Sequence, residues 1–363
     1  MSSPELLWDL GTAYDLFFSL QVLHQPADFD IPGAWAAGVR ARLPVTEREM
    51  LEQSQRLVLP PFHWIYALPE PKDANAALWA LGSLPPAERL PAIALGPDAL
   101  SAGMTDILRE VAARGRWDDR DRESLAAASQ RECPQEKNLA SSLDLVQILN
   151  WWSRPQEFGE RYLEALSAYH QVFFGEEERR IRPALQAALS RAQELAGQLT
   201  LSDLLEELSQ GLRFEEPSTA AGLVLAPSFW CTPLMVFGKL SAERELWLFG
   251  ARPPDASLVP GEQVPDALLR ALKALSDPSR LRILHYLADE PLSPAQLSRR
   301  LRLRAPTVIH HLRSLRLAGL VQLTVGESKQ ATRYATRPGA VRAAFDALEG
   351  FLQQGNANSA QNG

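Results

Sequence analysis

Chemistry is concentrated in one short stretch of this 363-residue chain, RAPTVIHHLRSLRLAGLV, Arg304 to Val321. Val308, Leu312 and Leu315 recur at i, i+4 and i+7 and predict the buried stripe of a helix. That helix begins near Ala305-Pro306 and runs to Ala318, closed by Gly319 as a left-handed cap. The spacing leaves Thr307, Ile309, His310, Arg313 and Ser314 on the other side. This face is short-chained at its N-terminal end and basic further on, as a helix entering a major groove requires. Arg can grip guanine bidentately, and Ile can touch a thymine methyl. Downstream, Leu323-Thr324-Val325, Gly326-Glu327-Ser328 and Arg333-Tyr334-Ala335 read as a hairpin, with Lys329 and Arg333 placed to hold phosphates.

Shorter helices must position that face. Pro265 can open a helix whose apolar positions include Leu268, Leu269, Leu272 and Leu275. Ser276 or Asp277 caps the next, with Pro278 at its start and Leu281, Ile283, Leu284 and Leu287 expected inside. Ser293 then caps SPAQLSRRL, with Pro294 at the first helical position and Gln296 at capping-box spacing. Leu297 and Leu301 face inward, and Leu303 bridges the turn. Charge supports the same reading. Residues 262–352 hold 14 Arg/Lys against 8 Asp/Glu, a net of +6, which leaves −13 in residues 1–261 of a chain whose total is −7. Phosphate contact depends on the field of one face rather than on that total. All nine Trp precede the basic region, so two cores of different composition are expected.

LSDPSRLRILHYL, LSPAQLSRRL, PTVIHHLRSLRLAGLV and the hairpin ending in RYAT together resemble the ArsR-type family of winged helix-turn-helix regulators. The resemblance covers roughly residues 265–352. It implies a homodimer joined through outer helices at about 266–275 and 338–352, bound to double-stranded DNA at a palindromic operator. The family's base-reading positions map onto Ala305, Thr307, Ile309, His310 and Arg313, with Arg304 beside them. Ser is common where Ile309 stands, and Gln where Ala305 stands. Both departures remove hydrogen-bonding capacity and shift sequence preference toward shape and methyl contacts. Metal-sensing members carry a Cys-x-Cys pair before the recognition helix, or His and acidic ligands on the last helix. Here those places hold Pro291 to Gln296, and Asp346 with Glu349, so no metal is expected at them.

Residues 4 to about 213 read mainly as helix. Leu6, Leu7, Leu16, Phe17, Leu20 and Leu23 suggest one buried helical face. Thr46 and Glu49 have capping-box spacing, and a long helical region over 155–197 is expected to break near Gly175 or Pro183. AGLVLAPSFW, PLMVFGK and ERELWLFGA then suggest a short antiparallel sheet. The fold class expected is mainly α with small β elements. The domains expected are a helical one over 1–251 closed by that sheet, a Pro-rich linker over 252–264, a winged helix-turn-helix over 265–352 and a disordered tail over 353–363. WDLGTAYDLFFSLQVL and the pair LVLAPSFW and LWLFGARPP also resemble the large domain upstream of ArsR-type modules in some bacterial regulators. That domain is taken as a sensory or interaction module.

Other constellations read as structural. His310 and His311 are adjacent on a helix, about 100° apart, and poorly placed to share a metal. His24, His63 and His170 stand apart from any Cys or acidic motif. GEEERR (175–180) and WDDRDRE (117–123) read as solvated helix faces. Cys231 lies among apolar residues, where a thiol is inert. The aromatic-rich segments fit either an apolar ligand pocket or ordinary core packing. No Walker loop, dinucleotide fingerprint or nucleophile elbow occurs, so neither catalysis nor a cofactor is expected. Two Cys, no basic leader and no apolar run of ~18 residues point to a cytoplasmic protein. The function expected is a DNA-binding regulator whose N-terminal domain senses a small-molecule effector or a protein partner. An interaction scaffold and an enzyme fused to its own regulator are the alternatives.

Overall fold

A computed structural model describes residues 4–361 except 30, 56–58, 98–101, 133–141, 215–217, 219 and 326–331. For 131–132, 142–144 and 354–361 it describes the backbone alone. The chain forms strand β1 (Glu5–Trp8) and then helices α1 (Thr12–His24), α2 (Gly33–Arg40), α3 (Val45–Ser54), α4 (Phe62–Tyr66), α5 (Ala74–Ser83) and α6 (Pro86–Ala94). Helices α7 (Ala102–Arg114), α8 (Asp119–Glu132), α9 (Ser142–Trp152), α10 (Pro155–Tyr169), α11 (Gly175–Ala196) and α12 (Leu201–Leu208) follow. Strands β2 (Leu212–Phe214), β3 (Gly222–Ser228), β4 (Val236–Lys239) and β5 (Arg244–Gly250) lead to α13 (Asp266–Leu275), α14 (Pro278–Asp289), α15 (Pro294–Leu301) and α16 (Ala305–Leu317). The chain ends with β6 (Val321–Val325), β7 (Arg333–Thr336) and α17 (Ala340–Gln361). The fold is mainly α with small β elements and a C-terminal helix-turn-helix.

Two compact units interleave along the sequence. The first takes Met1–Pro183, Ala220–Ala226 and Phe237–Trp247, and the second takes Ala184–Thr219, Pro227–Val236 and Leu248–Gly363. Residues 252–264, expected as a linker, lie within the second of these units. That segment is anchored inside the second unit. Leu258 is buried, its N–H donates to Asp266 at 2.7 Å, and Arg252 donates to the Thr232 carbonyl at 2.8 Å. A Pro-rich composition predicts a spacer, but an apolar side chain and a guanidinium that find partners hold it in place. Residues 353–361, expected to be disordered, continue α17. Extending an existing helix avoids the cost of nucleation.

In the first unit α6 meets α10 at Gly159, where the two backbones approach with no side chain between Gly159 and Pro86. A Cβ built on Gly159 would stand 2.0 Å from the Pro86 carbonyl oxygen, and Arg89 donates to the Gly159 carbonyl at 3.0 Å. The long helical region is interrupted by a π-helical turn, His170–Phe174, immediately before Gly175, while Pro183 lies inside α11. The Gly175 N–H reaches back to the His170 carbonyl, which makes the wider turn. Residues Glu5–Trp8 are a strand and not the start of a helix. They pair in parallel with β3, Leu6 opposite Leu223 and Trp8 opposite Leu225, so the sheet β1-β3-β5-β4 is mixed rather than antiparallel. Strand β3 is buried at every residue, which gives the continuous apolar run of a central strand. The Thr46–Glu49 capping box does not form, because Pro44 takes the N-cap and Thr46 donates to Glu47 at 2.5 Å.

The run at 175–180 is only partly a solvated face: Glu176 and Arg179 are exposed, whereas Glu177 and Glu178 are not. Glu177 and Glu178 are 2% and 5% exposed. Glu178 accepts from Thr12 and from the Ala74 N–H (3.0 Å), and His170 Nε2 stands 3.8 Å from it. Nearby, Lys72 donates to buried Asp9 at 2.7 Å, and Tyr14 donates to the other Asp9 oxygen at 2.5 Å. Burial, and then Asp9, push the Tyr14 hydroxyl well above its ordinary pKa.

Gly159→Ala is expected to lower stability by about 1–3 kcal/mol, because two packed helices must separate. Thermal unfolding measures it, with Gly38→Ala, in open space on α2, expected to be neutral or stabilising. Acid sensitivity should trace partly to His24, whose Nδ1 faces the Leu20 carbonyl at 2.8 Å and whose burial lowers its pKa. Unfolded His titrates near ~6.5, so below that pH the unfolded chain takes a proton that the folded one refuses. Stability is therefore lost as pH falls from ~6.5 toward the depressed folded value. His24→Asn should flatten that part of the stability curve in denaturant titrations.

Candidate nucleic-acid interface

Local rules build the C-terminal helices. Asp277 stands in extended backbone and accepts from the Arg280 N–H at 2.9 Å, with Pro278 at the first helical position of α14. That backbone bond holds the Asp277 carboxyl below its usual range. Ser293 and Gln296 close a complete capping box at α15, the Ser293 N–H donating to Gln296 at 2.8 Å. Arg302 takes left-handed backbone, φ 54°, and turns the chain toward α16. At the far end Gly319 has φ 68°, and the Leu320 N–H reaches back to the Leu315 carbonyl at 3.0 Å, a Schellman-type stop.

These helices enclose an aliphatic core. Ile283, Leu287, Leu297, Leu301, Val308, Leu312 and Leu315 are all under 5% exposed. Each such side chain contributes roughly 1.5–3 kcal/mol before entropy is charged. Strands β6 and β7 pair antiparallel, Leu323 opposite Tyr334, and Leu292 exchanges both backbone bonds with Tyr334 at 2.9 Å.

With Val308, Leu312 and Leu315 committed inward, the other face of α16 is turned out. Arg304, Ala305, Thr307, Ile309, His310 and Arg313 are all exposed, and Ile309 retains 55% of its surface. Arg333 is exposed on β7. Lys329 and the Gly326-Glu327-Ser328 turn lie outside the described residues. His311 is half-buried, and desolvation lowers its pKa. Among the described residues no three His, Cys, Asp or Glu gather as a metal site. Two expected core positions are corrected: Leu281 and Leu269 are 47% and 39% exposed, while Ala271 and Ala274 fill the α13 core face.

One residue escaped the sequence reading. Arg316 is 7% exposed and donates to the carbonyls of Ser209 (2.5 Å) and Gln210 (3.2 Å). Burial, and then Arg337, pull its pKa down to about 10. Spacing could have flagged it, since Arg316 follows Val308 and Leu312 at the same four-residue interval. Just beyond its partners, β2 adds in parallel to β6, Leu212 opposite Leu323 and Phe214 opposite Val325.

A capped helix-turn-helix with a buried aliphatic stripe and an exposed polar and basic second helix defines a DNA-binding domain. Residues 277–322 match the family described as bacterial regulatory protein, arsR family, so the chain carries an ArsR-family regulator domain at its C-terminal end. No curated protein and no solved structure gives a significant match to the chain. No helix among the described residues is long and apolar enough to cross a membrane.

Arg316→Met keeps the stem and strips two buried carbonyls of their donors. It should cost about 1–3 kcal/mol, read as a lowered midpoint in denaturant unfolding.

Proposed function

We propose that this chain is a one-component transcriptional regulator in which α16 reads the major groove and the β6–β7 hairpin acts as a wing on the flanking phosphates. The exposed row Thr307, Ile309, His310 and Arg313 carries this reading. Arg313 supplies bidentate readout, and Ile309 supplies methyl contact. Two copies on a palindrome would place their recognition helices about 34 Å apart. The outer helices suit such pairing, for Leu269 on α13 and Phe345 and Leu352 on α17 are 39%, 52% and 58% exposed. The first unit, with a core separate from the helix-turn-helix, would bias DNA binding through a small molecule or a protein partner. No catalytic step is assigned to it.

Selection of genomic fragments by the full chain, with His310→Ala/Arg313→Ala in parallel, tests the reading. A palindrome enriched by the wild type and lost in the variant is the expected outcome. No enrichment at low salt by either protein would sink it. On the selected site Arg313→Ala should cost about 1–3 kcal/mol and relax one base position. Equal loss on random DNA would reduce Arg313 to a phosphate contact.

A further inference from the structure

Within the second unit a cleft of about 460 Å³ opens between the C-terminal half of α11, the end of α12 and the chain leaving β5, with α13 and the end of α16 beside it. That volume is in the range of small-molecule sites, roughly 300–1,000 Å³. Four arginines line it, Arg191, Arg252, Arg270 and Arg337, against one carboxylate, Glu207. Arg252 and Arg270 are 6% and 7% exposed. Guanidinium groups keep their charge at any physiological pH, so even with Glu207 beside Arg337 and Asp266 beside Arg252 the four arginines leave the cleft net positive. Arg252 is held in place, donating to the Thr232 carbonyl at 2.8 Å, 3.4 Å from Asp266 and 5.6 Å from the Phe229 ring. The wall formed by α11 is small: Ala184, Ala187, Ala188 and Ala192 leave space that larger side chains would fill. Phe249 and Leu208 extend the apolar lining.

Apolar walls edged by several arginines suit an anion on an apolar body. We propose that this cleft binds a small organic anion, a carboxylate or phosphomonoester carried on an apolar body, and that DNA binding responds to it. The second clause rests on α16 being the DNA-reading helix. The link is physical. Leu317 and Ala318, at the end of α16, form part of the wall. Arg337 stands 3.7 Å from Glu207, and its N–H donates to the Leu320 carbonyl at 3.0 Å, where the hairpin begins. An anion would compete with Glu207 for Arg337 and so act on the joint between α12, α16 and the hairpin.

Calorimetric titration of the full chain without DNA tests the site, with octanoate, octyl phosphate and neutral octanol as probes. At least one anion should bind with one site per chain and at least about tenfold more tightly than octanol, the better of the two naming the headgroup. Ala188→Phe, which fills the cleft, and Arg191→Gln/Arg337→Gln, which removes charge from its rim, should each weaken that anion by about fivefold or more. Thermal unfolding of each variant separates lost binding from lost folding. Octanol binding as well as the anions, variants binding as well as the wild type, or no binding at millimolar probe would each overturn the site. Adding the bound anion should then shift the midpoint for a selected DNA fragment by about threefold or more. Binding with an unmoved midpoint would overturn the linkage. Failure of DNA selection would remove the DNA reading and leave the calorimetric result standing.

Discussion

A guanidinium taken out of water costs several kcal/mol unless its donors are met, and Arg316 offsets part of that cost with the carbonyls of Ser209 and Gln210, its Nε finding no acceptor among the described residues. The arrangement of the second unit follows from this demand. Two carbonyls must be presented at the C-terminal end of α16, so the chain leaving α12 is held there. Residues 212–214 are then in place to add a strand to β6, and the Leu323 N–H donates to the Gly211 carbonyl at 2.7 Å. The hairpin thereby gains a neighbour on the edge that would otherwise be bare. The helix-turn-helix and its hairpin are thus built into a larger unit. A segment more than a hundred residues upstream supplies one of its strands.

The same economy of buried charge shapes the first unit. Asp9 is held by Lys72 and Tyr14, and Glu178 gathers Thr12, the Ala74 N–H and His170. These groups come from the chain just after β1, from α1, from the start of α5 and the segment leading into it, from the π turn and from α11. Each carboxylate therefore pins several elements at once, which apolar contacts, being non-directional, do not do. Such networks specify an arrangement more than they add stability. A half-satisfied version would be worse than an apolar core.

The sequence was most informative where structure is decided over three or four residues. The caps at Asp277 and Ser293, Pro278 and Pro294 at first helical positions, Gly319 as a stop, and the Val308-Leu312-Leu315 stripe all appear at the positions their spacing indicates. The row Arg304 to Arg313 is exposed for the same reason, since one buried stripe determines the opposite face. Reading failed where a distant partner decides. Leu6 and Leu7 fit a helical pattern, but parallel pairing with β3 makes them a strand. Glu178 looks like solvent-facing charge, but Thr12 and the Ala74 N–H reach it from other elements, while Glu177 is buried beside its own helix neighbour Arg180. Leu281 and Leu269 keep helical spacing and still face outward.

The sequence by itself determined that a helix-turn-helix of arsR type stands at the C-terminal side of this chain and which face of α16 is left exposed, because hydrophobic periodicity, caps and turn residues are local. Only the tertiary structure decided that Arg316 is buried, that β2 belongs beside β6, and that four arginines and a wall of alanines share one cleft. Those outcomes depend on segments brought together across more than a hundred residues. Burial, pairing and charge compensation at such separation leave no period in the sequence to read.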